Sequence, residues 1–408
     1  MTSEPVPPLG KGVGLAAHSG FDPVGSPVWA AGGDFPQLTL DGERLAENIA
    51  RMAAYTAGRG VRFAPHGKTM MSPRIAEMQL AAGAWGITAA TPTQLRVYRD
   101  AGVQRLILAN QLVDPNAVAW LRSELDRDPA FECAVFVDSP AGLDLLEGPG
   151  IRPLPVLVEI GHPGGRTGVR SITAAEELAA EVRRRPGLRL AGLAAYEGSL
   201  GGDPSPEVLA AVRAFSREIG ACATKLLAAG VLPEDGFVTI GGSAFFDAAI
   251  DGLVAGGLEP ARVVLRSGAY VTHDDGFYRR MTPRSRGAAD APELRAALTL
   301  WAPVLSRPEP GLALLLCGRR DVGFDQGLPK VRGARNRDGS DARPLEGTIT
   351  QLADQHAFLE VADDADLAVG DLVELGISHP CTTVDRWGSI PILDRDHRIV
   401  EVIRTRFA

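Results

Sequence analysis

From Asp41 to Gly58 the apolar positions Leu45, Ile49, Met52 and Ala53 recur at helical spacing, with Asp41 placed to cap the start and Gly58 to stop the run. Beyond that helix the chain alternates. Short apolar runs at about 61–67, 85–89, 105–109, 131–137, 154–160, 188–195, 236–240 and 262–266 read as strands, and the stretches between them, such as Pro92 to Ala101 and Pro206 to Ala229, read as helices. Eight strands separated by helices predict an α/β chain folded as a (β/α)8 barrel rather than an open sheet. After about Thr282 the pattern changes to short alternating runs with turn signals, at 296–304, 312–317, 347–352, 356–361, 371–375 and 399–405, which predict a C-terminal β-rich domain. Residues 321–343 are rich in Gly, Arg and Asp and are expected as an exposed loop. The predicted division is an N-terminal arm over 1–35, a barrel domain over 36–282 and a β domain over 283–408.

A barrel places its active site at the C-terminal ends of its strands. The polar residues there are Lys68, Thr88, Asn110, Asp138, Glu159 with Arg166 just beyond, Tyr196, the Gly241-Gly242-Ser243 turn and Arg266. A lysine amine is a good nucleophile toward a carbonyl cofactor when its surroundings favour the neutral form. The double-glycine turn lets backbone N–H groups approach an anion such as a cofactor phosphate. A second informative stretch is Ser378-His379-Pro380-Cys381-Thr382-Thr383. Pro380 pushes its predecessor toward extended geometry, so His379 and Cys381 are expected to project to one side, like neighbours on a strand face. Imidazole plus thiolate favours Zn²⁺ and leaves positions open for water or substrate.

Charge and composition narrow the classes. The formal net charge is −8, without a basic stripe, which argues against a nucleic-acid partner. The longest apolar runs, such as 312–316, are far too short to cross a bilayer, and the first residues lack a signal-peptide pattern, so a cytoplasmic protein with no membrane partner is expected. The four cysteines are too widely spaced for a disulfide framework. Cys133, Cys222 and Cys317 are expected as buried small hydrophobes, and His18, His162, His273 and His397 have no partner visible in the sequence.

The Pro65-His66-Gly67-Lys68-Thr69 stretch resembles the lysine motif of the D-serine dehydratase and D-threonine aldolase family, whose members share the alanine racemase-like (fold type III) barrel. The resemblance extends from Arg62 to Trp387. It implies that Lys68 holds pyridoxal 5′-phosphate (PLP) as an imine, and that Gly241, Gly242 and Ser243 receive its phosphate. Arg266-Ser267-Gly268-Ala269-Tyr270 resembles the family's Arg-Pro-Gly-x-Tyr, departing at Ser267, and implies phosphate contacts from the backbone of Gly268 and Ala269. Arg166-Thr167-Gly168 resembles an Arg-x-Gly motif whose arginine contacts the phenolic oxygen of the ring. By the same resemblance Tyr196 lies near the ring, and Arg266 faces the pyridine nitrogen and keeps it neutral, which weakens the electron sink.

His379 and Cys381 resemble the zinc pair of D-serine dehydratases, including the trailing Thr-Thr. The aldolases are similar but usually show His-x-Asp, so Cys381 favours the dehydratase branch. His356 matches a family histidine expected to pack or to support the metal from outside its ligand set. The implied function is a PLP-dependent, zinc-assisted lyase converting a small β-hydroxy D-amino acid, such as D-serine or D-threonine, to a 2-keto acid and ammonia. Three alternatives stand beside it: an aldolase giving glycine and an aldehyde, a racemase with Tyr196 or Tyr270 as second base, and a non-enzymatic PLP carrier. The family analogy also implies a homodimer in which the metal pair serves either its own Lys68 or the partner's.

Overall fold

The computed structural model describes residue 11 and residues 22–407, so His18 and most of the arm's first half lie outside the described residues. Two sheets organise the chain. The first is an eight-stranded parallel sheet of β2 (Arg62–Phe63), β3 (Ile87–Ala89), β4 (Arg105–Gln111), β5 (Glu132–Val137), β6 (Leu154–Ile160), β7 (Leu188–Ala195), β8 (Phe237–Ile240) and β9 (Val263–Leu265), following the short β1 (Gln37–Asp41). Its order, β2-β9-β8-β7-β6-β5-β4-β3, is that of a (β/α)8 barrel. The ring closes where His66 bridges Thr88 in parallel and Thr88 N donates to Pro65 O at 2.9 Å.

The helices begin where local chemistry starts them. α1 (Gly42–Gly58) opens on Asp41, whose carboxylate accepts from Arg44 N. α2 (Pro73–Ala81) follows β2. α3 (Pro92–Asp100), α4 (Pro115–Arg127), α5 (Pro140–Leu146) and, after α6 (Ile172–Arg183), α7 (Pro206–Ala228) each pair a capping side chain with a proline at the first helical position. These caps are Thr91, Asp114, Ser139 and Ser205, and each sits just before a proline that has no N–H to satisfy. α8 (Phe246–Ala255) completes the outer ring. The barrel interior is lined by apolar residues of mixed size, among them Ala64, Ile107, Ala134, Phe136, Leu157 and Ala191.

The second sheet has nine strands. It comprises β1 with β10 (Leu298–Glu309), β11 (Leu312–Leu315), β12 (Lys330–Arg335), β13 (Gly347–Leu352), β14 (Ala357–Val361), β15 (Leu372–Gly376), β16 (Ser389–Leu393) and β17 (Ile399–Arg404). Two sequence expectations change here. β1 precedes the barrel in sequence yet pairs antiparallel with β10 and parallel with β16, so the β sheet takes a strand from each end of the chain. The stretch 321–343 is not all loop, because β12 lies inside it and pairs with β15. Within the arm, Val28 and Ala31 pack on Leu393 and Ile399.

The two sheets meet at the barrel mouth. Asp275 N donates to Ile377 O at 2.8 Å, Arg406 N donates to Met71 O at 2.8 Å, and Arg332 pairs with Asp275. Cys133, Cys222 and Cys317 are buried and free. Among the described residues no helix is long and apolar enough to cross a membrane.

Candidate active site

β2 runs into Pro65 and His66, and the chain then tightens into the single turn Gly67–Thr69 that carries Lys68 to the barrel mouth. Tyr98 of α3 anchors this turn from below by donating its hydroxyl to Gly67 O at 2.8 Å. A Cβ at position 67 would collide with that hydroxyl, so the residue before the lysine has to be glycine. Lys68 faces a cavity of ≈ 290 Å³. Arg166, Tyr196, Arg266, Gly241, Gly242 and Ser243 border this cavity, as do Gly268 and Ala269, so the strand-end residues converge on one place.

Their bonding differs in detail from the sequence expectation. Gly241 adopts φ +103°, which turns the chain sharply after β8. The N–H of Gly242 is already spent on Glu197 Oε1 at 2.7 Å, and that of Ala269 on Ser243 Oγ at 3.1 Å. Among the described residues, the N–H groups of Ser243 and Gly268 have no protein acceptor, so they are the donors free to meet an anion. Glu197 itself is fully buried, and burial raises its carboxyl above the ordinary carboxylate range.

Arg266 is held rigidly. Its guanidinium donates to Thr239 Oγ1 and to Ala195 O, both at 2.7 Å, and packs over Phe136. Burial lowers it to about 10, where it remains a cation at neutral pH. Arg166 has a different environment. Its guanidinium stacks 4.3 Å over the Tyr196 ring and has no hydrogen-bond acceptor among the described residues. His66 also faces the cavity, with a shielded Nδ1 that has no partner, and burial holds its pKa well below 6.5, so the ring is neutral.

His379 and Cys381 do not lie on a strand. Pro380 takes helical angles (φ −59°, ψ −44°) and begins the short helix α10 (Cys381–Val384), the ninth helix, α9 (Phe277–Met281), having passed on the barrel side. The two side chains nonetheless lie close enough across the turn for each to shift the other's protonation. Cys381 Sγ lies 3.3 Å from Thr69 Oγ1, directly beside the lysine turn. His379 Nδ1 is 2.7 Å from Asp325 Oδ2, while Thr382 Oγ1 donates to Asp325 Oδ1 at 2.7 Å. Burial works against charge on both groups, yet the neighbouring Cys381 and the Asp325 carboxylate raise His379 to about 9, and His379, Thr69 and Lys68 lower Cys381. Both shifts favour the proton on His379 over Cys381. Displacing that proton would leave a sulfur and a nitrogen donor side by side, a donor set suited to Zn²⁺. Among the described residues no third His, Cys, Asp or Glu joins them, so further ligands would have to come from water or substrate.

One polar residue of the site, Tyr278, carries no sequence signal, while the strand-end candidates take differing roles. Tyr278 of α9 borders the cavity beside Cys381, and burial raises its hydroxyl well above 10. Asn110 and Glu159 complete the wall, the latter accepting from Gln111 at 2.6 Å. Thr88 and Asp138 serve structure, donating to Ala64 O at 2.7 Å and accepting from Gly168 N at 2.9 Å. Tyr270 is removed from the candidate second bases: it is fully buried away from the cavity, against Gln79 Nε2 at 2.9 Å. His356 sits exposed in the β13–β14 turn, at odds with a packing role. His162 bonds Ser199 Oγ, His397 packs between Trp29 and Trp301, and His273 is buried.

The cavity accommodates PLP on these observations: a reachable amine, two free backbone donors and a hydroxyl in the glycine cradle, an unpaired guanidinium, and an orphaned ring nitrogen in the wall. A barrel with this mouth is the alanine racemase-like type, and comparison with known proteins agrees. Residues 40–248 match the family profile "Alanine racemase, N-terminal domain" and residues 297–393 match "Putative serine dehydratase domain". The chain belongs to the D-serine dehydratase and D-threonine aldolase family of PLP-dependent fold type III enzymes, and it is a lyase of that family.

It is 28% identical over 352 residues to D-threonine aldolase of Arthrobacter sp, covering 85% of each protein. It is 27% identical over 370 residues to D-threo-3-hydroxyaspartate dehydratase of Delftia sp. (strain HT23), covering 86% of this chain and 91% of the relative. The crystal structure of D-threonine aldolase from Filomicrobium marinum superposes with a TM-score of 0.79 at 26% identity, over 94% of this chain and 98% of that one.

Proposed function

We propose that the protein is a zinc-assisted dehydratase that converts a β-hydroxy D-amino acid to a 2-keto acid and ammonia. The observation that carries this is the placement of the His379–Cys381 pair against the lysine turn of the same chain, through the Cys381–Thr69 contact. A substrate held at Lys68 would then present its Cα to the amine and its β-hydroxyl to the pair. PLP, bound covalently by Lys68 with its phosphate at Ser243 and Gly268, would supply the electron sink that makes the Cα–H acidic. Zinc, held by His379 and Cys381, would supply Lewis acidity toward the β-hydroxyl.

The chain's own residues do the rest. Once the substrate amine has displaced it, the Lys68 amine accepts the Cα proton. Arg166, cationic and without an acceptor, orients an oxygen anion on the cofactor or the substrate. Arg266, a buried cation, would disfavour a proton on a ring nitrogen held against it, which would keep the sink weak and leave the reaction dependent on help at the leaving hydroxyl. Loss of one proton from Cα and of hydroxide from Cβ amounts to loss of water, and the released enamine hydrolyses to keto acid and ammonia.

A second reading has its own support, because the Arthrobacter and Filomicrobium relatives are aldolases. The same lysine and metal pair would then break Cα–Cβ instead of Cβ–O. Products decide between them. PLP-loaded protein is given zinc and then D-serine, D-threonine or D-threo-3-hydroxyaspartate, and the mixture is assayed for keto acid, ammonia, glycine and aldehyde, with and without chelator. The expected result is equimolar keto acid and ammonia, abolished by chelator, restored by zinc and absent in Lys68→Ala. Glycine plus aldehyde selects the aldolase, and neither set of products rejects both.

A further inference from the structure

The barrel has a second mouth. At the N-terminal ends of β2 and of β4 through β8, on the face opposite Lys68, lies a cavity of ≈ 380 Å³. It is hollow because the inward positions above it include Ala134 and Ala191, which leave unfilled the space that larger side chains usually occupy in such barrels.

Its rim is charged in one sense. Arg62, Arg105, Arg152 and Arg189 face two carboxylates, Glu132 and Asp235, an excess of two positive charges in a chain whose net charge is −8. The two carboxylates are already taken. Glu132 binds Arg105 in fork geometry at 2.7 and 3.3 Å, and Asp235 pairs with Arg189 at 3.3 Å. Arg152 spends one nitrogen on the carbonyls of Leu125, Asp128 and Phe131 and has no carboxylate partner among the described residues. Arg62 has nothing: among the described residues its guanidinium makes no hydrogen bond and no ion pair, and its Nε is shut from solvent without an acceptor. It is held between Trp85 and Phe237, 5.1 and 5.4 Å from the ring centres, with the Arg105 guanidinium also over Trp85 at 4.7 Å. A half-buried guanidinium that faces a cavity beside further like charges, with every donor unused, has the arrangement of an anion receptor before its anion arrives.

We propose that this lower mouth binds a small dianion, a phosphate ester or a dicarboxylate, with Arg62 as the principal contact and Trp85 as the wall beside it. The site lies at the far end of the barrel from Lys68 and does not depend on which lyase reaction the upper mouth performs. Two oxygens of a phosphate or carboxylate match the fork of Arg62, and the excess charge of the rim matches a charge of two.

The test uses PLP-loaded protein, so that the cofactor's phosphate position is filled. It is titrated by calorimetry with inorganic phosphate and, separately, with succinate, each against sodium chloride of equal ionic strength. Saturable one-site binding of at least one of the two dianions is expected, weakened at least tenfold in Arg62→Gln, and the stronger of the two identifies the ligand class. Hydrogen exchange on the unaltered protein gives a reading that does not depend on the variant folding. Protection by the bound dianion is expected around Arg62, Trp85, Arg105 and Arg189. Absence of saturable binding, equal binding by Arg62→Gln, or protection confined to the Lys68 mouth would overturn the proposal.

Discussion

At the scale of single residues, Asp325 decides how His379 is presented. Its carboxylate accepts from Nδ1 and is itself steadied by Thr382, which fixes the ring and directs Nε2 away from Asp325. Asp325→Asn should leave the fold intact while weakening zinc binding about 10- to 100-fold, measured by competition with a chromophoric chelator and by loss of the thiolate-to-cobalt band after cobalt substitution. Asp274 makes a separate case. It is buried, accepts from Gly276 N at 2.9 Å and Tyr278 N at 3.0 Å, and burial raises its pKa from 3.8 to about 7. Below about pH 4 native and unfolded chains both hold the proton, so the native state loses nothing. Between about 4 and 7 the unfolded chain ionises while the native one retains its proton, so this group's contribution to stability falls as pH rises. Asp274→Asn keeps an acceptor for both amides. Its stability relative to the parent should therefore grow by on the order of 2–4 kcal/mol between pH 4 and pH 8, measured by urea melts at each pH.

At the scale of elements, Asn48 shows what joins the first helix to the rest. It is fully buried in α1, donates to Val271 O at 3.1 Å and Arg295 O at 2.8 Å, and accepts from Arg295 N at 2.8 Å. One amide thus ties the helix to the segment after the Arg266–Tyr270 loop and to the link entering β10. Asn48→Ala would strand the buried Val271 carbonyl and leave the part-buried Arg295 amide and carbonyl without this partner, and should cost about 1–3 kcal/mol in chemical denaturation, with a matching loss of PLP retention on dialysis. The elements most legible in the sequence were those with local causes. The barrel strands are continuous apolar runs because both faces are covered, and the helices announce themselves by a cap next to proline. β12 was illegible because its sequence, Lys-Val-Arg-Gly-Ala-Arg, is mostly polar and is held in strand form by pairing with β15 across a register shift. The His379–Cys381 turn was misread for a related reason. Pro380 restricts its predecessor, but packing against Thr69 is what holds Cys381 and the rest of the short helix in place.

At the scale of the whole molecule, the β sheet closes over the barrel of its own chain, so Lys68 and Cys381 share one cavity. We propose that the protein works as a homodimer whose two sites are each complete in these groups. Mixing Lys68→Ala with Cys381→Ala under conditions that exchange subunits should then restore no turnover above that of the separate variants. Recovery to about a quarter of parental activity, the fraction expected from random pairing with one rebuilt site per hybrid, would show instead that the metal pair serves the partner's lysine.

Sequence alone determined the alternation of eight apolar runs with helices, the lysine at the end of the first barrel strand, the glycine turn after β8 and the His-Pro-Cys motif. Each is encoded by neighbours in the chain, through periodicity, capping or proline geometry. Tertiary structure decided which donors of the cradle remain free, that Asp325 stands behind His379, that Tyr270 faces away from the cavity, and that the His379–Cys381 pair lies beside the lysine of its own chain. These depend on groups up to 312 residues apart in sequence being brought within a few ångströms. No local pattern carries that information, because distance in space is set by how the two sheets pack together.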